Sequence, residues 1–296
     1  VSDQITVAMK NTYAQNVEHL VQQKTSRLRG AVKVRSGMLG EKHFVDQIGT
    51  VEPVAITSRH GDSPLNDTPH DRRLLTLTDY ELGDIVDKPD IVRTLTSPAS
   101  DYAVAQSRGF GRQVDRVIIA ALEGTALSDH TGSTSNTLAA ANTVDRYVVD
   151  GGSGASANLT VDKLRKASEI MNAFEVDDEN RFIAVSASQI SSLLRDSEIT
   201  SQDFNIVRAL VRGEVNAYMG FIFLRTELLT VASNIRDCLA WQRDCLLLGE
   251  GIGINTQVDP ARSDKRFNPY IYTTATWGAV RMEEKCVVKV QCDETA

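Results

Sequence analysis

Residues 98–123 set the strongest limit on what this chain can become. Ser97 is a good N-cap residue, Pro98 suits the first helical position, and Gly124 is a common helix terminator. Between them Tyr102, Phe110, Val114, Val117, Ile118 and Ala121 recur at helical spacing. That pattern predicts one long helix with a continuous apolar stripe. Gly109 and Gly111 each cost about 1 kcal/mol relative to alanine inside a helix. Their presence predicts a bend, or a backbone packed close against the helix.

Residues 41–97 read as a long extended hairpin leading into that helix. One side, 44–57, carries Phe44, Val45, Ile48, Val51, Val54 and Ile56. On the other, 74–86, Leu75 and Leu77 alternate with Thr76 and Thr78. The connection 58–71 is polar and holds two prolines. A two-stranded hairpin is marginal alone in water, so its apolar faces require a partner. Residues 1–40 read as an arm. Tyr13, Val17, Leu20 and Val21 have helix-compatible spacing, and the remainder is basic and punctuated by Gly30, Gly37 and Gly40.

After the long helix, 125–158 is nearly uncharged and ends in a Gly/Ser-rich loop. A second helix is expected around Val161, Leu164, Ala167, Ile170, Met171 and Phe174, a buried strand at 181–186, and a third helix around Ile190, Leu193 and Leu194. Residues 215–224 form a strand candidate broken by Gly220, and Cys238, Trp241, Cys245 and Leu248 share a helical spacing. The end is β: 270–280 is rich in Thr and aromatics, and Cys286, Val288, Val290 and Cys292 alternate with Val287, Lys289 and Gln291. The order predicts an α+β fold without a repeated βαβ unit.

Composition narrows the function. With 296 residues, 42% hydrophobic and 24% charged, the chain is globular. Its net charge of −7 argues against a protein that grips nucleic acid over its whole surface. The charge is uneven: Lys10, Lys24, Arg27, Arg29, Lys33 and Arg35 against Asp3 and Glu18 leave the arm at +4, and the body at −11. No apolar run approaches the ~20 residues that span a bilayer, and the polar N-terminus does not read as a secretion signal. None of the four cysteines forms a CxxC motif. Cys286 and Cys292 stand ~20 Å apart along one strand, so four reduced, buried thiols are expected.

Chemistry-bearing motifs are sparse. His60, Asp62, Asp67, His70 and Asp71 offer metal-ligand types, but a hairpin turn lacks the rigid support a metal site needs and reads as an exposed polar turn. There is no GxSxG elbow and no Walker-type loop. Gly249-Glu-Gly-Ile-Gly253 reads as a turn and Asp177-Asp-Glu179 as a solvated loop. Arg108-Gly-Phe-Gly-Arg112 reads as a helix-packing feature flanked by arginines. No catalytic, cofactor or metal residue is expected, which points to a structural role.

Three stretches in order resemble the tailed-phage major capsid proteins of the Hong Kong 97 type. Asp79-Tyr-Glu-Leu-Gly-Asp-Ile-Val-Asp87, followed by Asp101-Tyr-Ala-Val-Ala105 and 112–122, is similar to the family's extended loop running into its spine helix. The segment 212–221, ending Met219-Gly-Phe221, is similar to the turn into its axial strand. Trp277-Gly-Ala-Val-Arg281 with Cys286-Val-Val-Lys-Val290 is similar to its closing strands. The resemblance implies an arm (1–40), an extended loop (41–97), a peripheral domain with the spine helix (98–154 and 266–296) and an axial domain (155–265). It implies pentamers and hexamers closing an icosahedral shell around double-stranded DNA, assembled in the host bacterial cytoplasm. Portal, scaffolding and cement proteins are the implied partners, with the scaffold separate or already removed, and no membrane or cofactor. Some members crosslink through a lysine and an asparagine; the connection 58–71 has no lysine, so closure without covalent bonds is expected.

The residues expected between subunits follow from the hairpin, its charges and the arm. They are Arg27, Arg29, Arg35, Phe44, Ile48, Val54, Arg59, Asp62, Asp67, Asp71, Arg72, Arg73, Leu75 and Leu77, with Arg108 and Arg112 on the helix. Loop 196–205 and segment 249–266 are expected around the symmetry axes, and 150–158 as a joint. Two rivals are an encapsulin-like compartment, told apart by its cargo, and a small α+β enzyme, told apart by particle size.

Overall fold

The computed structural model describes residues 23–59, 61, 63, 65–85, 98–149, 152–195, 217–262 and 267–295. The expected arm helix, the Ser97 cap, His60, Asp62, 86–97, loop 196–205 and 212–216 lie outside them. Strands β1 (Lys33–Ser36), β2 (Lys42–Ile48), β3 (His70–Thr76) and β4 (Thr78–Ile85) precede helix α1 (Pro98–Glu123). Short strands β5 (Ala126–Ser128), β6 (Thr134–Asn136), β7 (Thr143–Val144), β8 (Val148–Val149) and β9 (Gly152–Ser153) follow. Next come α2 (Val161–Ala173), β10 (Arg181–Val185), α3 (Ala187–Arg195), β11 (Ala217–Tyr218), β12 (Phe221–Arg225), β13 (Val231–Ala232) and β14 (Ile235–Gln242). A single 3-10 turn, Arg243–Cys245, leads into β15 (Leu246–Glu250), β16 (Asn255–Arg262), β17 (Asn268–Arg281) and β18 (Val287–Asp293). This is the α+β mixture the sequence predicts.

Two compact units share the chain, and their boundary cuts α1 after Val114 and β17 after Thr276. The first takes the described residues of Val1–Ser26, Asp79–Val114 and Ile252–Thr276. Within it β4 and β16 pair with β17. Ile271, Thr273 and Ala275 are buried at alternate positions, as a one-sided strand requires. Thr273 donates its hydroxyl to Gln106 of α1 at 2.7 Å, and Tyr272 donates to Glu81. Gly111 has the expected reason: a Cβ there would meet the backbone of Thr25 and Ser26 at 3.1–3.3 Å.

The second unit, Arg27–Thr78, Asp115–Gly251 and Trp277–Ala296, holds the larger core. A seven-stranded sheet runs β11-β12-β10-β14-β18-β7, with β13 on β14. β10 lies at its centre, parallel to β12 and antiparallel to β14, and all five of its residues are buried. Trp241 on β14 is fully buried, lies against Phe182, and donates its indole N–H to Ala31 O at 2.9 Å. Helix α2 begins with Thr160 capping the Lys163 N–H. The buried Lys163 ammonium donates to Ala157 O and Gln291 O, and burial pushes its pKa down. Beside this sheet β1 runs parallel to β15, and β15 antiparallel to Trp277–Arg281 of β17. A four-stranded sheet is ordered β2-β3-β5-β6.

The structure departs from expectation in three places. The return side of the hairpin ends at Thr76; β4 leaves for β17, so the continuous alternation through Leu75 and Leu77 spans two sheets. Cys238, Trp241, Cys245 and Leu248 sit on strands and a 3-10 turn instead of a helix, because β14 and β15 are buried on both faces and their apolar runs lose the period of two. Cys245 and Cys286 form a disulfide with Cα atoms 5.9 Å apart, leaving only Cys238 and Cys292 as buried free thiols.

Candidate assembly surface

The hairpin of β2 and β3 divides into a root and a tip with different chemistry. At the root seven residue pairs run from Lys42–Thr76 to Ile48–His70. Leu75 and Leu77 join Met38, Ala126, Leu247 and Val280 in one buried cluster. Arg73 is buried; it donates to Glu284 at 2.8 Å and to Gln47 at 3.3 Å. Gln47 in turn donates to Met282 O at 2.9 Å. β3 also pairs with β5 through Arg73–Ser128 and Leu74–Leu127. The base of the hairpin is thus fixed to the subunit by packing, an ion pair and a sheet ladder.

Strand pairing stops at Gly49, whose N–H donates to Pro69 O. Every described residue from 49 to 69 is exposed. Ile56 and Leu65 keep 92% and 94% of their surface in water, and Ile48, Val51 and Val54 at least half. These large apolar side chains form surface that the subunit itself leaves uncovered.

The expected site residues sort accordingly. Phe44, Ile48 and Val54 are exposed, as are Arg59, Asp67, Asp71 and Arg72, the last pairing with Asp46 at 2.6 Å. Asp62 lies outside the described residues. For Arg73, Leu75 and Leu77 the expectation of a neighbour contact is corrected: their surface is spent on their own subunit. Arg27 donates to Arg225 O at 2.7 Å, while its backbone N–H is held by Asp115. Arg29 pairs with Glu250 at 2.9 Å, and Arg35 is exposed on β1. Arg108 and Arg112 are half-buried on α1.

Beside the root, Asp46, Ile48, His70, Asp71, Arg72, Asp129 and His130 line an open pocket of about 540 Å³. His130 lies 2.7 Å from the Asp129 carboxylate, and that contact holds the Asp129 pKa below the usual range. Among the described residues no group of three or more His, Cys, Asp or Glu has metal-holding geometry.

Two anchoring residues escape a reading for assembly. Asp115 is wholly buried in α1 and accepts from the backbone of Arg27 and Leu28. Arg281, also wholly buried, donates to Leu122 O and Gly124 O, satisfying carbonyls at the C-terminus of α1, and to Asn136 O of β6. The available signal was a lone charge inside an apolar stripe or strand, which must find buried partners.

Solved capsids share this architecture. The capsid of Ralstonia phage GP4 superposes with a TM-score of 0.74 at 11% identity, covering 96% of this chain and 95% of that one. The capsid of cyanophage P-SCSP1u gives 0.71 at 14%, covering 95% and 91%. A chain from Mycobacterium phage Che8 gives 0.67 at 15%, covering 97% of each. At such identities the likeness shows the fold alone. No curated protein matches the sequence. A family model described as phage capsid protein matches residues 5–294. That match spans nearly the whole chain, and the chain therefore belongs to the phage capsid proteins, structural shell components rather than enzymes.

Proposed function

We propose that this chain is the major capsid protein of a tailed phage and self-assembles into pentamers and hexamers that close an icosahedral shell around double-stranded DNA. The carrying observation is the anchored hairpin with an open apolar tip. Permanent interfaces bury roughly 2,000–5,000 Å², and the tip supplies apolar surface that the subunit itself does not cover. Phe44, Ile48, Val54, Ile56 and Leu65 lie across the adjacent subunit, while Arg59, Asp67, Asp71 and Arg72 set register. Closure is non-covalent. In this reading 1–40 is the arm, 41–97 the extended loop, 98–154 with 266–296 the peripheral domain and 155–265 the axial domain.

The charge split fits the same role. A body at −11 neutralises few phosphates and lets packaged DNA slide. The exposed cations Lys33 and Arg35 of the arm meet acidic surfaces of neighbouring subunits. Scaffolding, portal and cement proteins are the further partners, and assembly takes place in the host bacterial cytoplasm. No described helix is long and apolar enough to cross a membrane.

Negative-stain images of the purified chain test the reading. Full-length protein forms closed shells, and deletion of residues 52–67, which spares the root, leaves soluble subunits and no shells. Normal shells from that deletion overturn the assigned role of the tip.

A further inference from the structure

Among the described strands, two connections pass directly between the β1-β15-β17 sheet and the seven-stranded sheet. One is the 3-10 turn Arg243–Cys245, from β14 to β15; the other is 282–286, from β17 to β18. Each carries one cysteine, and those two cysteines are bonded to each other. The crossovers also exchange backbone hydrogen bonds, Met282 N–H to Cys245 O at 2.8 Å and Gln242 N–H to Cys286 O at 3.3 Å. The backbone thus holds the sulfurs in register independently of the bond between them.

Both redox states are provided for. Gln242 Oε1 lies 3.5 Å from Cys245 Sγ, and Glu283 Oε2 lies 3.9 Å from Cys286 Sγ, so each thiol has an acceptor when reduced. Cys245 and Cys286 keep 6% and 7% of their surface exposed, whereas Cys238 and Cys292 keep none. All four are thus buried, but the first pair keeps a margin of exposed surface and the second none, so a small molecule meets the first pair before the second.

We propose that Cys245 and Cys286 are a redox modification site that clamps the two crossovers together. The pair stays as two thiols during assembly and is closed by a small-molecule disulfide once the shell meets oxidising surroundings. The timing rests on the shell-forming reading above; the chemistry does not. The exchange opens when the Cys245 thiol gives up its proton to solvent, since the thiolate is the attacking species. The Cys245 thiolate attacks one sulfur of the small disulfide, forming a mixed disulfide and releasing one thiolate, which takes up the proton. The Cys286 thiolate then attacks the Cys245 sulfur, forming the protein bond and releasing the second small thiol. Two protein thiols are oxidised and one small disulfide is reduced to two thiols.

Thiol counting tests this on the full-length chain, as unassembled subunit and as particle, using a maleimide–polyethylene glycol gel shift in denaturant. Incubation with glutathione disulfide leaves two reactive thiols, and dithiothreitol restores four. Cys286→Ser stops at the mixed disulfide, with glutathione bound at Cys245 and two reactive thiols, and dithiothreitol restores three. Four reactive thiols after oxidation, or oxidant-induced pairing that persists in Cys286→Ser, overturns the assignment. Reduction lowers the thermal midpoint of wild type by about 10 °C and leaves Cys245→Ala/Cys286→Ala unmoved; an equal loss in both overturns the clamp. Wild type kept in dithiothreitol assembles in undiminished yield, and assembly only of oxidised subunits overturns the proposed order. Absence of shells under every condition removes the shell reading, while the subunit thiol count still decides the clamp.

Discussion

The carboxylate of Asp115 accepts the backbone N–H of Leu28 at 3.1 Å from a position on α1 with no exposed surface. Both its oxygens also lie within 3.2 Å of the Arg27 N–H. The chain at Arg27–Leu28 is thereby tied to α1 through its own backbone N–H groups, which only proline at either position removes. Asp115→Ala leaves these donors buried without an acceptor and costs ~1.5–3 kcal/mol. Thermal unfolding should show the loss, and trypsin should cut at Arg27 and Arg29 faster than in wild type. Asp115→Asn, which keeps an acceptor without the charge, falls between the two.

Arg281 holds the C-terminal end of α1, where its guanidinium bridges the carbonyls of Leu122 and Gly124 to that of Asn136 on β6. Arg281→Met retains the stem but strands those carbonyls and leaves Glu284 with one guanidinium neighbour fewer. The expected cost is ~3–5 kcal/mol, read as a lowered denaturant midpoint. Arg281→Lys keeps the charge but loses the planar fork, and recovers only part of the stability.

Root and tip of the hairpin respond to mutation in opposite ways. Leu75→Ala opens a cavity in the Met38–Leu247–Val280 cluster and costs ~2–5 kcal/mol. Ile56→Ser changes a side chain already 92% exposed, so the subunit's stability moves by less than ~0.5 kcal/mol while particle yield collapses. Calorimetry beside electron microscopy separates the effects; equal stability loss in both variants contradicts the division.

Gly278 has a backbone reason to lack a side chain. A Cβ there would stand 2.1 Å from the Thr76 carbonyl oxygen. Gly278→Ala must push the root strand away from β17, and the expected outcome is insoluble protein. Gly253→Ala, with open space around it, is the soluble control.

Acid weakens the C-terminal end through Asp293. Hydrogen bonds from the hydroxyl of Ser156 and then from the hydroxyl and N–H of Thr295 lower its pKa to about 2. An unfolded aspartate titrates near ~3.9, so the native state holds the charged form more firmly. The contribution is complete above about pH 4 and disappears as pH falls through 2. Unfolding of wild type and Asp293→Asn should differ at neutral pH and converge at the acid end.

Much of the fold was legible in the residues. Pro98 and Gly124 bracket α1 at Pro98–Glu123, with a buried stripe at Phe110, Val114, Ile118 and Leu122, although Tyr102 proved exposed. The alternation around Cys286–Cys292 forecast β18, and Arg181–Val185 is a buried strand. The division of the hairpin was not legible. Leu75 and Ile56 are both apolar residues in β-like sequence, and their burial depends on Met38, Leu247 and Val280, which are far away in the chain. The Cys245–Cys286 pairing hides for the same reason, since 41 residues separate its members.

The way the hairpin is rooted ties its direction to the closing of the last strands. Its direction is fixed by Leu75 in the core, Arg73 on Glu284 and Gln47 on Met282. Those partners come from opposite ends of the sequence and meet only when the last strands are in place. A copy whose last strands have not closed therefore lacks the contacts that fix the direction of its hairpin. Although the hairpin precedes most of the chain, what orients it is supplied last, by Val280, Met282 and Glu284.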